Sequence, residues 1–195
     1  VSAPVSFGRR FVAPLLGGLA ALHPRLSVQL ALSDRVVDLI GDNVDCVLRG
    51  GDINDQSLIA RHVGDLQIGV YAAPGYVGRL GAPAHPRELE NTDHRIVGFL
   101  SSRTGKIDPL VLRSGSEHIE ITGRYVLAVD DGNAYLEAGL AGLGVIALPT
   151  YMAAKHRASG ALIPLFEQWR ISPMPLYLAF PPNRHVNAKL RVFID

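Results

Sequence analysis

Leu26-Ser27-Val28-Gln29-Leu30-Ala31-Leu32 sets apolar side chains at every second position, the signature of a half-buried strand. The chain continues as Ser33-Asp34-Arg35-Val36-Val37-Asp38-Leu39-Ile40-Gly41, where Asp34 is placed to cap a short helix over residues 35–40 that Gly41 stops. Val44-Asp45-Cys46-Val47-Leu48-Arg49 then reads as a second strand, closed by the loop Gly50-Gly51-Asp52. Strand, helix and strand in immediate succession favour a mostly parallel sheet with helices packed on it.

The same alternation extends both ways. Residues 2–6 read as a strand that turns at Phe7-Gly8 into a helix over residues 10–22. Pro14 fits that helix only in its first turn or at a kink, and His23-Pro24 ends it. Strands are expected over residues 58–63 and 67–73, then a linker with a short helix framed by Pro83 and Pro86. The second half gives a strand at 94–100, the polar loop 101–105 and a hairpin over 110–121 turning at Ser114-Gly115-Ser116. A strand at 125–129, a helix at 131–141 and strands at 145–148, 162–165 and 176–180 follow, with a last helix from near Val186.

Composition narrows the function. With 195 residues, 48% hydrophobic and 19% charged, the chain can bury a proper core. A net charge of +1 leaves no broad basic face for phosphate backbones, so DNA binding by this chain itself is not expected. The single cysteine, Cys46, excludes an internal disulfide and a zinc cluster, and its apolar neighbours mark it as a small buried hydrophobe. No window approaches the ~18 uninterrupted apolar residues of a membrane span, and no signal-peptide pattern opens the chain. The seven histidines are scattered, and no G-x-S-x-G, Walker or dinucleotide loop is present. No catalytic residue, metal ligand or cofactor is therefore expected. Both ends look cut, the first inside a strand and the last inside a helix, as in a fragment of a longer protein.

Residues 32–40 followed by 44–49 resemble the LysR-type transcriptional regulators, whose effector-binding domains carry a strand, a short helix and an "apolar-Asp-x-apolar-apolar-Arg" strand. The resemblance continues at Asp52, at Ser57-Leu58-Ile59-Ala60-Arg61 and at Tyr71-Ala72-Ala73-Pro74-Gly75-Tyr76. It recurs at Asp130-Asp131-Gly132-Asn133-Ala134, through residues 138–149, at Leu162-Ile163-Pro164-Leu165 and at Trp169. Lys106-Ile107-Asp108-Pro109-Leu110-Val111-Leu112 departs from it, standing where many relatives place an aromatic. The resemblance implies an α/β fold like the type-2 periplasmic binding proteins, with two Rossmann-like lobes joined by two crossovers. Residues 1–93 and 171–195 are expected to form lobe I and residues 94–170 lobe II, with the crossovers near 93–97 and 162–170. An amino-terminal winged helix-turn-helix, absent from this chain, would carry the DNA binding of a bacterial, cytoplasmic regulator.

Ligands of open α/β sheets bind beyond the carboxyl ends of strands, where helix N-termini present N–H groups. On lobe I that points to Ser6, Phe7 and Gly8, otherwise an ST-turn or cap, and to Arg49 and Gly50. Arg49 would grip a carboxylate bidentately or form a structural bridge to Asp34 or Asp52. On lobe II it points to Phe99, Leu100, Ser101, Ser102, Asp131 and Asn133, with Asp131 also placed to cap its helix. The expected effector is a small aromatic or carboxylated molecule. The helices over 10–22 and 133–143 are apolar nearly all round and must be covered on both sides. Either they are buried within a lobe, or Phe11, Val12, Leu15, Leu16 and Leu19 pair with Ala134, Glu137, Ala138 and Ala141 across an antiparallel homodimer. A stand-alone solute-binding protein is the alternative, and an enzyme would need a reactive group that the sequence does not supply.

Overall fold

A strand that buries both faces needs apolar side chains at successive positions, and Cys46-Val47-Leu48 supplies them. Cys46 and Leu48 join Ala3, Val12, Leu178, Phe180 and Leu190 on one side of a sheet, while Val47 joins Leu39 and Ala179 on the other. A computed structural model describes the chain apart from residues 36–38, 40, 54, 92, 103, 183–187 and 195. It divides into two units, Val1–Asp65 with Met174–Asp195, and Leu66–Pro173, so the backbone passes between them twice.

The first unit holds a five-stranded sheet in the order β2-β1-β3-β12-β4. Its strands are β1 (Ser2–Ala3), β2 (Ala31–Leu32), β3 (Val47–Gly50), β4 (Ile59–Leu66) and β12 (Met174–Phe180). β1 runs parallel to both β2 and β3, and β12 runs antiparallel to β3. Between β1 and β2 lies one continuous helix, α1 (Val5–Leu22). It begins sooner than its sequence suggests, because Asp34 caps it from a distance: the Val5 N–H donates to Asp34 Oδ1 at 2.9 Å. Asp34 was expected to cap residues 35–40, most of which lie outside the described residues. Pro14 sits inside α1, which accommodates it with a wide π-turn over Gly8–Val12 whose closing bond runs from the Ala13 N–H to Gly8 O. That extra residue carries the carbonyl that the proline ring would strike away from it. Asp34→Ala is expected to cost about 1 kcal/mol, the usual worth of a cap, read as a lower urea midpoint at unchanged slope.

The second unit is built on β5 (Ile68–Ala72), β6 (Ile96–Phe99), β9 (Tyr125–Val129), β10 (Ile146–Pro149) and β11 (Ile163–Leu165). β10 and β11 flank β5 antiparallel, β6 and β9 pair in parallel, and a parallel bridge from Ile96 to Val145 ties the two groups together. Alternation sorts the side chains. Tyr71, Val97, Ile146 and Leu148 face the helices α4 (Gly132–Leu140) and α5 (Thr150–Ala158). Val70, Ala72, Ile96 and Val145 face Tyr76 of α2 (Pro74–Leu80), Leu89 of α3 (Glu88–Asn91) and the hairpin β7 (Leu110–Ser114) and β8 (Glu117–Ile121). The last helix is α6 (Ala188–Ile194), of the first unit.

The division corrects the expected boundaries. The chain leaves the first unit after Asp65, not near residue 93, and returns at Met174. β5 is the reason: it pairs with β10 and β11, partners far away in sequence, and carries residues 66–93 into the second unit with it. Helix α5 went unrecognised in the sequence because its apolar side chains form no stripe; it is held by Ala153, fully buried against β10 and β5.

Candidate functional site

In each unit the strand order reverses beside the first strand. The chain goes from β1 to β2 on one side and then to β3 on the other; from β6 to β9, and then to the Val145 end of β10. Such switch points leave a crevice at the carboxyl ends of the strands. Two edges result: Ala3–Ser6 with Arg49–Asp52 in the first unit, and Phe99–Ser101 with Pro149–Thr150 in the second.

On the first edge Arg49 is half-buried, and loss of hydration lowers its guanidinium from the ordinary arginine range. It stands in register opposite Tyr177 of β12. Tyr177 in turn meets the ring of His62 edge-on at 5.4 Å, and His62 Nε2 lies 3.0 Å from Asp65 Oδ1. Neither Tyr177 nor His62 is visible as a site residue in the sequence, since the long-range pairing of β3 with β12 sets Tyr177 opposite Arg49 and β4, next to β12, sets His62 against Tyr177. Ser6 and Phe7 lie in the first turns of α1, where no connecting loop exists. Ser6 remains at the edge, while Phe7 packs on the core and against Phe11 at 4.8 Å between ring centroids. Gly8 is buried, and a Cβ there would run into Leu32 Cδ2, so its missing side chain lets α1 lie on β2. Gly50 has a similar neighbour, Met174 Cε, 2.9 Å from where a Cβ would stand.

On the second edge Phe99 meets Tyr135 of α4 edge-to-face at 5.4 Å. Tyr135 accepts a hydrogen bond from the Ala147 N–H at 3.1 Å, and burial raises its phenol to about 12. The Leu100 N–H donates to Val129 O, and the following loop is closed by Ser101 N–H to Lys106 O and Gly105 N–H to Ser101 O. Ser101 is thus half-buried on a fixed turn and Ser102 is exposed beyond it. Asp131 caps α4, its Oδ1 accepting from the Ala134 N–H at 2.7 Å, with half-buried Asn133 in the same turn. Thr150, at the end of β10, is an addition from topology alone.

The two apolar helices differ from one another. No residue of Ala13–Leu22 is buried, and Leu15 and Leu22 are 73% and 77% exposed. Burial within one lobe is therefore not how α1 is covered. Val12 is the exception, held in the first unit's core and closed to any partner. On α4, Ala134, Glu137 and Ala141 are exposed on one side, whereas Ala138 is buried under the second unit's sheet.

All 195 residues match the model of the LysR substrate-binding domain. The chain belongs to that family. An HTH-type transcriptional repressor of Pseudomonas aeruginosa is 31% identical over 195 residues, covering all of this chain and 61% of its own length. The LysR regulatory domain of CrgA from Neisseria meningitidis superposes with a TM-score of 0.84 at 27% identity, covering the whole chain and 93% of that domain. The full-length virulence activator AphB of Vibrio cholerae gives 0.81 at 25% identity, covering all of this chain and 65% of its own. This LysR effector-binding domain therefore has the type-2 periplasmic-binding-protein fold, and its curated relatives are transcriptional regulators. It spans 61% and 64% of two of the relatives that it matches.

Cys46 is fully buried in this LysR domain, and burial raises its thiol to about 11. The folded state keeps a proton there that an unfolded thiol releases near pH 9.0, so this group's contribution to stability falls as pH rises from about 9 to about 11. At pH 8 a disulfide reagent is expected to leave the native chain unmodified and to modify one thiol after denaturation. Rapid native labelling would contradict this.

Proposed function

We propose that this LysR domain senses a small carboxylated or aromatic effector through the switch-point edges of its two units, and passes the signal through a homodimer to an amino-terminal DNA-binding domain. The effector draws on Ser6 and Arg49 of the first unit and on Phe99, Ser101 and Asn133 of the second, with Gly50, Leu100 and Ser102 shaping the backbone beside them. The observation that carries this reading is the repeated strand reversal, which gives each unit a ligand-type edge. Half-buried Arg49 supports an anionic group on the effector, since a partly dehydrated guanidinium is well suited to a carboxylate. Phe11, Leu15, Leu16 and Leu19 of α1 meet Ala134, Glu137 and Ala141 of a second copy's α4. Effector binding acts by its differential affinity for the conformations of the dimer. The whole protein is a cytoplasmic regulator, and the chemistry of this domain is recognition, not catalysis.

A thermal-shift screen of aromatic and carboxylated metabolites tests this. At a hundredfold excess over Kd a ligand stabilises by about 2.7 kcal/mol, roughly 5–10 °C for a chain of this size. Arg49→Gln is expected to remove the shift given by carboxylates. A panel that moves neither chain, or moves both alike, would refute the assignment.

A further inference from the structure

Across the second unit's sheet from Phe99, on the β11 side but at the same carboxyl end of β10 and reaching Thr150, a groove of about 190 Å³ runs beside β5 and β11. Its walls are apolar and aromatic, with Ile68, Leu165, Phe166, Trp169 and Ile171, and its mouth is polar, with Arg157 and Glu167. Phe166 is buried at a positive φ of 56°, an unusual backbone for a bulky residue. That turn brings the chain back on itself, the Trp169 N–H donating to Phe166 O at 2.7 Å. Tyr71 is 2% exposed and lies over Gly69, whose missing side chain leaves room for the ring. Arg157 sits above that ring, Cζ 5.9 Å from the centroid, so its guanidinium is held at the mouth.

Arg157 also shares a hydrogen bond with the Tyr71 hydroxyl, and its acidic partner is loosely held. Arg157 meets Glu167 at 3.8 Å, with side chains 45% and 72% exposed, and an open pair of this kind contributes little. A carboxylate arriving from solvent can take the place of Glu167 on a guanidinium that Tyr71 already orients. The volume suits one ring, since an apolar cavity of about 150 Å³ holds benzene. We infer that this groove is a second small-molecule site, taking a single-ring carboxylate with its ring against Trp169 and Phe166 and its carboxylate on Arg157. Its lining lies wholly within the second unit and meets the second edge at Thr150, and it includes neither Arg49 nor any other residue of the first unit.

Trp169 is the chain's one tryptophan, so its fluorescence reports on the groove. Benzoate is expected to change the emission saturably with a Kd of about 1 mM or below, and benzamide, which lacks the charge, at least tenfold more weakly. Arg157→Gln is expected to weaken benzoate at least tenfold, with Arg157→Lys recovering part of it. Glu167→Gln, an exposed change with little bearing on folding, is expected to tighten it. Arg49→Gln should leave the Trp169 titration as it is. No saturable change in the native chain, or equal benzoate affinity in Arg157→Gln, overturns the site. Loss in Arg49→Gln with retention in Arg157→Gln also overturns it, and places benzoate at the effector edges instead.

Discussion

Leu15→Glu is expected to convert the domain to a monomer while leaving its fold and urea midpoint unchanged. Leu15 is 73% exposed on α1, with Phe11 at 37% and Leu22 at 77% beside it, so the isolated chain gains almost nothing from the leucine. Surface changes of that kind usually stay within about 0.5 kcal/mol. In a two-fold dimer the same residue is used twice. Each leucine taken out of water contributes about 1.5–3 kcal/mol, and a carboxylate in its place must also be desolvated. A loss near 3 kcal/mol is about a hundredfold in the dimer dissociation constant. Sedimentation equilibrium on both chains measures it. The pairing would be wrong if the native domain sediments as a monomer at micromolar concentration, or if the variant associates as tightly.

Gly144→Ala is expected to damage the second unit's sheet strongly. A Cβ at Gly144 would stand 2.8 Å from Arg95 O and 3.1 Å from the carbonyl carbons of Arg95 and Ile96, all main-chain atoms that cannot rotate away. The hydrogen bonds it would part, Val145 N–H to Arg95 O and Val97 N–H to Val145 O, are the ones that join β6 to the β10 side of the sheet. Overpacking costs about 1–3 kcal/mol, and each ladder bond lost adds about 1 kcal/mol. A total near 3 kcal/mol lowers Tm by roughly 6–12 °C. Phe99 and Thr150 flank that seam, so the second edge should lose its alignment as well. Gly78→Ala is the control: nothing lies within 4 Å of its added methyl on exposed α2, and a gain of about 0.5–1 kcal/mol is expected. Thermal unfolding of the two variants separates steric conflict from loss of backbone freedom. A Gly144→Ala chain as stable as the native one would remove the argument.

The fold was legible wherever a short-range pattern carried it. The alternation around residues 26–32 and the apolar run Cys46–Leu48 mark strands without help from elsewhere, although only Ala31–Leu32 of the first stretch is paired. The Asp131 cap was legible for the same reason, since its partner is three residues away. Asp34 shows the limit. Its residue type announces a cap, but no local pattern shows that the Val5 N–H, 29 positions earlier, reaches its carboxylate. That Leu32 and Met174 stand where a Cβ of Gly8 or Gly50 would be is likewise invisible in the sequence. Tyr177 and His62 give no signal at all, because strand pairing alone sets Tyr177 opposite Arg49 and His62 against Tyr177.

The amino-acid sequence by itself determined that this is an α/β chain of the LysR effector-binding kind, with a buried cysteine. Each of those properties depends on residue type or on spacing within one element. The tertiary structure alone decided where the chain passes between its units, because β5 pairs with strands from the far half of the molecule. It alone separated the apolar helices, leaving α1 open while α4 buries Tyr135, Leu136 and Ala138. Two helices of like composition differ in which faces their own sheets cover, and that is a property of packing, not of sequence.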